Sequence, residues 1–166
     1  MSTLFVNKLK AAVGSIINVP ADQTLYAPGH VIQVINGSHS TTVASTVTSF
    51  ADTGLTATIT PTNNTSKILV LVNQQGCQKY GANTGLQLKL FRGSTELTKF
   101  ESQLGINANT SHDQNVGGCS VCFLDSPSTT SATTYKTQLA NRNGAGGVGV
   151  QADNATSTIT LMEIAQ

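Results

Sequence analysis

The residues in this chain with catalytic or ligating chemistry are few and scattered. His30, His39 and His112 are the only histidines, and Asp113 follows the last of them. Three or four such ligands would have to converge to hold a structural zinc ion, and these spacings match no zinc motif. Cys119 and Cys122 have the C-x-x-C spacing. In redox proteins that spacing opens a helix, whose dipole lowers a thiol pKa. Here it falls in a β-patterned stretch, where positions i and i+3 point to opposite faces. With Cys77, the pair is expected to give three reduced, buried and unreactive thiols, since an odd, small number of cysteines makes no disulfide framework.

Other chemistries fare no better. No G-x-S-x-G elbow accompanies the serines, and no histidine is placed to pair with a serine and an acid. The eight carboxylates lie mostly beside turn residues, among them Asp22, Asp52, Glu96, Glu101, Asp125, Asp153 and Glu163. Capping and turn roles account for them more simply than a glycosidase pair facing across a cleft. The run from Gly144 to Gly149 has glycines enough for a phosphate loop, but no Lys-Ser/Thr pair follows and no helix opens after it, so a hairpin turn is expected. Sequons at Asn36, Asn63, Asn64, Asn109 and Asn154 are what a chain rich in Asn and Thr yields by chance. No enzyme activity, metal or cofactor is expected.

The elements that carry these residues are almost all strands. At 166 residues the chain can bury one core. Charged residues are only 10%, there is no Trp, and the polar content is instead 24 Thr, 15 Ser and 13 Asn. β-branched Thr suits strands, while Ser and Asn suit turns. A net charge of +1 with no basic run gives no field for nucleic acid. The longest apolar run, Ile68 to Val72, is far short of a membrane span, so no membrane insertion is expected. The start has lysines inside its apolar stretch and not the order of a signal peptide, which predicts folding in a cytoplasm.

From His30 onward, period-two alternation and turn residues predict nine or ten strands: 30–36, 42–50, 52–60, 67–73, 86–91, 95–100, 119–124, 133–140, 148–152 and 157–164. Turn signals every 8–12 residues, with neither βαβ alternation nor a fixed repeat, predict an all-β, antiparallel β-sandwich that is jelly-roll-like. Expected core positions are Ile32, Val34, Leu55, Ile59, Ile68, Val70, Leu88, Leu90, Val121, Leu139 and Leu161, with 67–73 a central strand buried on both faces. Residues 1–27 differ from the rest and fit a helical stripe and short strands equally well. They form an expected attachment and oligomerisation segment ahead of the module at 28–166, with Leu4, Phe5, Val6 and Leu9 as its apolar contacts. The polar stretch Gln74 to Gly85 predicts a surface-recognition loop carrying Tyr80 and Asn83.

Several phrases carry a family likeness. GHVIQVING at 29–37, SFADTGLTATITPTNNTSKILVLVNQ at 49–74, LKLFRGST at 88–95, CFLDSPSTTSATTYKTQ at 122–138 and NATSTITLMEIAQ at 154–166 resemble a module common in tailed-phage fibre-like proteins. The resemblance covers about residues 28–166 and implies a trimeric, virion-borne β domain with no catalytic residues. Only some 27 residues precede the module, too few for a fibrous shaft. The expected roles are a short tail-fibre-like homotrimer binding a host-surface glycan or receptor, or alternatively a capsid decoration or head-fibre protein. In both, residues 1–27 would meet other virion proteins. A β-helical depolymerase would need a longer, repetitive chain, and a free carbohydrate-binding module would need more aromatics than three Tyr and five Phe.

Overall fold

A computed structural model of the chain describes residues 27–106 and 114–166. Among these residues ten strands follow one another: β1 (Val31–His39), β2 (Val43–Ser45), β3 (Ala51–Ile59), β4 (Lys67–Tyr80), β5 (Leu86–Arg92), β6 (Thr95–Leu104), β7 (Gln114–Asp125), β8 (Thr133–Asn141), β9 (Gly147–Val150) and β10 (Ser157–Ile164). A short 3-10 turn at Ala152–Asn154 joins the last two. The expected helical stripe near the N-terminus, and the contacts Leu4, Phe5, Val6 and Leu9, lie outside the described residues.

Two antiparallel sheets face each other, as the strand spacing predicts. The first runs β1-β10-β4-β7, and the far half of β4 also pairs with β9, which pairs with β2. The second runs β3-β8-β5-β6. The long strands pair in a nested way: β1 with β10, β3 with β8, β4 with β7, and β5 with β6. An antiparallel ribbon with those four pairs, rolled on itself, brings β10 beside β4 and β8 beside β5.

The core has two apolar clusters stacked along the strands. One gathers Leu55, Ile59, Ile68, Val70, Leu90, Tyr135, Ile159 and Leu161. The other gathers Cys77, Leu86, Leu88, Leu139, Val148 and Val150. A buried polar seam lies at the positions between them. Thr53 and Thr137 share a hydroxyl hydrogen bond of 2.5 Å, and the Thr137 hydroxyl also reaches Gln74 Oε1 at 2.9 Å. Gln74 Nε2 and Gln151 Nε2 both donate to Ser157 Oγ, at 3.0 and 3.1 Å. Most of these buried amide and hydroxyl groups are tolerable because they satisfy one another; Gln151 Oε1 is the exception, buried with no hydrogen-bond partner.

Four local expectations change. The stretch 42–50 contributes only the three residues of β2, because Ser45 Oγ accepts the Val47 amide at 3.3 Å and turns the chain away from the ladder. The polar stretch from Gln74 to Tyr80 is not loop but the second half of β4, paired with β7 and β9. A register shift between Val31 and Gln33 resets the alternation of β1. As a result Val34 is 53% exposed and Ile32 half-buried, while Ile35 packs on the core. The first half of β4 is buried on one face only, with Leu69 and Leu71 partly exposed on the other.

One buried carboxylate secures the end of the sandwich where β1 begins. Glu163 Oε2 accepts from Gln33 Nε2 at 2.6 Å, and Oε1 accepts from both the amide and the hydroxyl of Thr62 at 2.8 Å. Burial alone would raise this carboxyl, but the Gln33 and Thr62 hydrogen bonds outweigh it and hold its pKa below the ordinary value. A carboxyl depressed in the folded state contributes stability above its unfolded pKa of about 4.3 and loses it as pH falls through the folded value. Glu163→Gln should therefore cost about 1–3 kcal/mol at pH 7 and flatten the loss of stability on acidification below about pH 4.3. Urea unfolding at pH 7 and at pH 3, at fixed protein concentration, measures both. Equal acid sensitivity of the variant and the parent would count against this role.

Candidate functional site

Three turns of the described residues meet at the end of the sandwich where β4 finishes and could present a binding surface, while the largely exposed turns at 60–66 and 126–132 stand at the end where β4 begins. After the shift in β4 around Gly76, Gln78 and Tyr80 share the half-exposed face of the strand, while Cys77 and Lys79 are buried. Tyr80 pairs with Gly147 of β9. A Cβ at Gly147 would come within 3.1 Å of Tyr80 Cδ2, and one at Gly149 within 3.2 Å of Tyr80 Oη. The tyrosine thus lies against a strand kept free of side chains, which gives the glycine-rich stretch its role. Gln78 Nε2 donates to Tyr80 Oη and fixes the rim of the ring.

Asn83 is exposed in the turn between β4 and β5, with a left-handed backbone at φ 54°. That turn is tied to the β8–β9 turn. Asn143 Nδ2 donates to the Asn83 carbonyl at 2.6 Å, and Thr84 Oγ1 to the Ala145 carbonyl at 2.8 Å. The Arg142 amide donates to the Gly85 carbonyl at 2.8 Å, and the Asn141 amide to the Val47 carbonyl at 2.9 Å. Three turns are therefore held together by backbone and side-chain bonds while Thr46, Asn83, Arg142 and Asn143 remain exposed. Amides and a guanidinium at the same end as a half-exposed aromatic ring can hydrogen-bond and stack on a hydroxyl-rich ligand.

Tyr80 and Asn83 thus belong to one end of the molecule, though only Asn83 lies in a turn. Gln78, two residues before Tyr80, lies in the same stretch, whereas Arg142 and Asn143 join them unannounced by the sequence, because their proximity depends on the β4–β9 pairing across some seventy residues. The opposite end carries the chain's entry. The Gly29 amide donates to the Ala165 carbonyl at 2.8 Å, and the Ala165 amide to the His30 carbonyl at 2.9 Å. The 14 residues of β4 separate the two ends, about 45 Å at the rise of a strand.

The remaining reactive residues are dispersed. His30 precedes β1 and His39 ends it, with the His39 ring against Gly54; His112 and Asp113 lie outside the described residues. Among the described residues no group of three or more His, Cys, Asp and Glu could hold a metal ion. No helix of the described residues is long and apolar enough to cross a membrane. Cys119 and Cys122 do point to opposite faces, but they are not both buried. Cys122 is exposed, because no element of the described residues covers the outer side of β7, and Cys119 is half-buried against Cys77. The Cys119–Cys77 hydrogen bond, with burial second, raises the Cys119 thiol pKa far above its ordinary value. Asp125 accepts Arg92 Nη1 at 2.8 and 3.0 Å and Tyr135 Oη at 2.7 Å inside the sandwich.

No family model matches the chain, and no curated protein matches it. Among solved structures, the crystal structure of the infectious bursal disease virus VP2 subviral particle is similar at 11% identity with a TM-score of 0.42. The match covers 91% of this chain and 42% of that one, so the chain spans less than half the length of that protein. A likeness this distant carries no functional argument.

Proposed function

We propose that the chain is a structural virion protein of a tailed bacteriophage, a short tail-fibre-like homotrimer that binds the host surface without catalysis. The observation that carries this reading is polar: the chain enters at one end of a rigid sandwich, and the tied turns with Tyr80, Asn83 and Asn143 stand at the other. Residues 1–27 would then dock to tail or capsid proteins while the far end faces a glycan or receptor. The resemblance of residues 28–166 to the phage fibre-like module supports the same reading. The nested strand pairing supports a jelly-roll form of the sandwich. Preorganised polar turns suit weak contacts to sugars, and three copies would multiply them through avidity.

The test combines location with binding. Gold-labelled antibody against the full chain should mark the tail of the phage that encodes it, and the purified protein should bind at least one member of a panel of bacterial lipopolysaccharides and capsular polysaccharides. Tyr80→Ala should weaken that binding about tenfold or more, as expected from losing one stacking and hydrogen-bonding anchor. Label over the capsid would replace this reading with the decoration protein. Binding untouched by Tyr80→Ala would remove the proposed end as the contact surface.

A further inference from the structure

The two outer faces of the sandwich differ in kind. Outside the β3-β8-β5-β6 sheet, Lys136 pairs with Asp52 at 2.9 Å and Lys89 with Glu96 at 2.5 Å, with Lys89 also over the Phe50 ring. Charges of this sort are how an exposed sheet face stays solvated and free of unwanted contacts. Outside the β1-β10-β4-β7 sheet there is a rung of four apolar residues in register: Val34 opposite Met162, Met162 opposite Leu69, and Leu69 opposite Leu124. Val34 is 53% and Leu124 52% exposed, at the two edges of the sheet. The next two rungs run from Asn36 to Cys122 and from Ser38 to Ser120, and no residue in the three rungs is charged.

We infer that this outer face of the β1-β10-β4-β7 sheet is the surface through which copies of this chain pack on one another. The inference rests on the trimer proposed above and names the face that builds it. Charge selects the occupant. A second copy brings apolar, Thr, Ser and Asn side chains, so the apolar rung is covered and the polar rungs hydrogen-bond without burying an ion. Residues 1–26 would bring Lys8 and Lys10 among their apolar side chains, and the three rungs offer no carboxylate to receive them. The face is also continuous with Cys122, which is exposed in the single chain and provides a built-in reporter.

The experiment uses the full-length chain, the variants Val34→Lys and Leu124→Lys, sedimentation velocity, and maleimide labelling of Cys122 located by tandem mass spectrometry. The parent should sediment as a trimer with Cys122 labelled at least tenfold more slowly than in Val34→Lys, where the substitution lies three strands away from the thiol. Both variants should be monomeric with an unchanged β-type circular dichroism spectrum. Should a lysine variant fail to fold, Val34→Thr keeps the strand propensity and should still shift the parent toward monomer on dilution. A trimer with freely reactive Cys122, or a trimer that survives all three substitutions, overturns the inference while leaving the trimer itself standing. A monomer with shielded Cys122 means that residues 1–26 cover the face. A monomer with reactive Cys122 means that copies do not. Either monomer result removes both the inference and the trimer it rests on.

Discussion

Asp125→Ala should cost about 3 kcal/mol or more, the loss expected on breaking a buried ion pair by removing one partner. Asp125 is 7% exposed and Tyr135, a member of the first core cluster, is wholly buried. The carboxylate accepts from Arg92 Nη1 and Tyr135 Oη together. Its removal leaves the Tyr135 hydroxyl with no acceptor in a place water does not reach, a desolvation loss of about 1–3 kcal/mol alone. The Arg92 side chain is 28% exposed and can turn partly to water, which keeps the total near the lower end of the buried-pair range. Asp125→Asn retains an acceptor for the tyrosine and should cost about half as much. Tyr135→Phe removes only the donor and should cost about 1 kcal/mol. Urea denaturation of the three variants at one protein concentration tests the order. A loss under 1 kcal/mol for Asp125→Ala would show that the cluster does not hold β5, β7 and β8 together.

Gly76→Ala should be at least as damaging, and for a different reason. Gly76 has φ 57° at the shifted register of β4, and a Cβ there would run into the Ala152 amide nitrogen, with the Ala152 oxygen and Gln151 carbonyl carbon at 2.9 Å. All three are backbone atoms, so no side chain can swing aside. Relief requires parting β4 from the Ala152–Asn154 turn, which breaks the 2.9 Å bond from the Gln151 amide to the Gln75 carbonyl. It also loosens Gln151 from Ser157 in the polar seam. Gly93 supplies the control, with the same φ of 57° and nothing within 4 Å of where a Cβ would stand. Gly93→Ala should cost only the left-handed backbone strain, about 1–2 kcal/mol. Gly76→Ala should exceed it by at least about 2 kcal/mol, the usual penalty of forcing atoms into a packed site. Equal losses in the two variants, measured by chemical denaturation, would mean that the turn yields freely.

Much of the architecture was legible because alternation and turn chemistry are local. Asp52 to Thr60 alternates apolar and Thr residues, and β3 occupies nearly that span with Leu55, Ala57 and Ile59 inward. The last strand agrees at both ends, since Ser157 to Ile164 has one possible period and no competing turn. The recognition end was legible only in part. Asn83 sits in a turn as its neighbours Gly81 and Gly85 suggest, yet Tyr80 closes a strand, because the QQGCQKY stretch finds ladder partners in β7 and β9. Strands that pair over long separations take polar residues whenever a partner strand satisfies their backbone, and propensity carries no record of that partner.

By itself, then, the sequence determined the class of structure: a low-charge, Thr-rich chain with period-two patterning can bury its apolar residues only as facing sheets. Alternation says that two faces exist, without saying which one is covered. The register shift after Val31 turned Val34 outward, and the shift at Gly76 set Cys77 against Cys119 and brought Tyr80 over the glycines of β9. Only the tertiary structure decided these, because one extra residue in a strand exchanges its two faces, and whether that residue is accommodated depends on the strand opposite rather than on the neighbours in sequence.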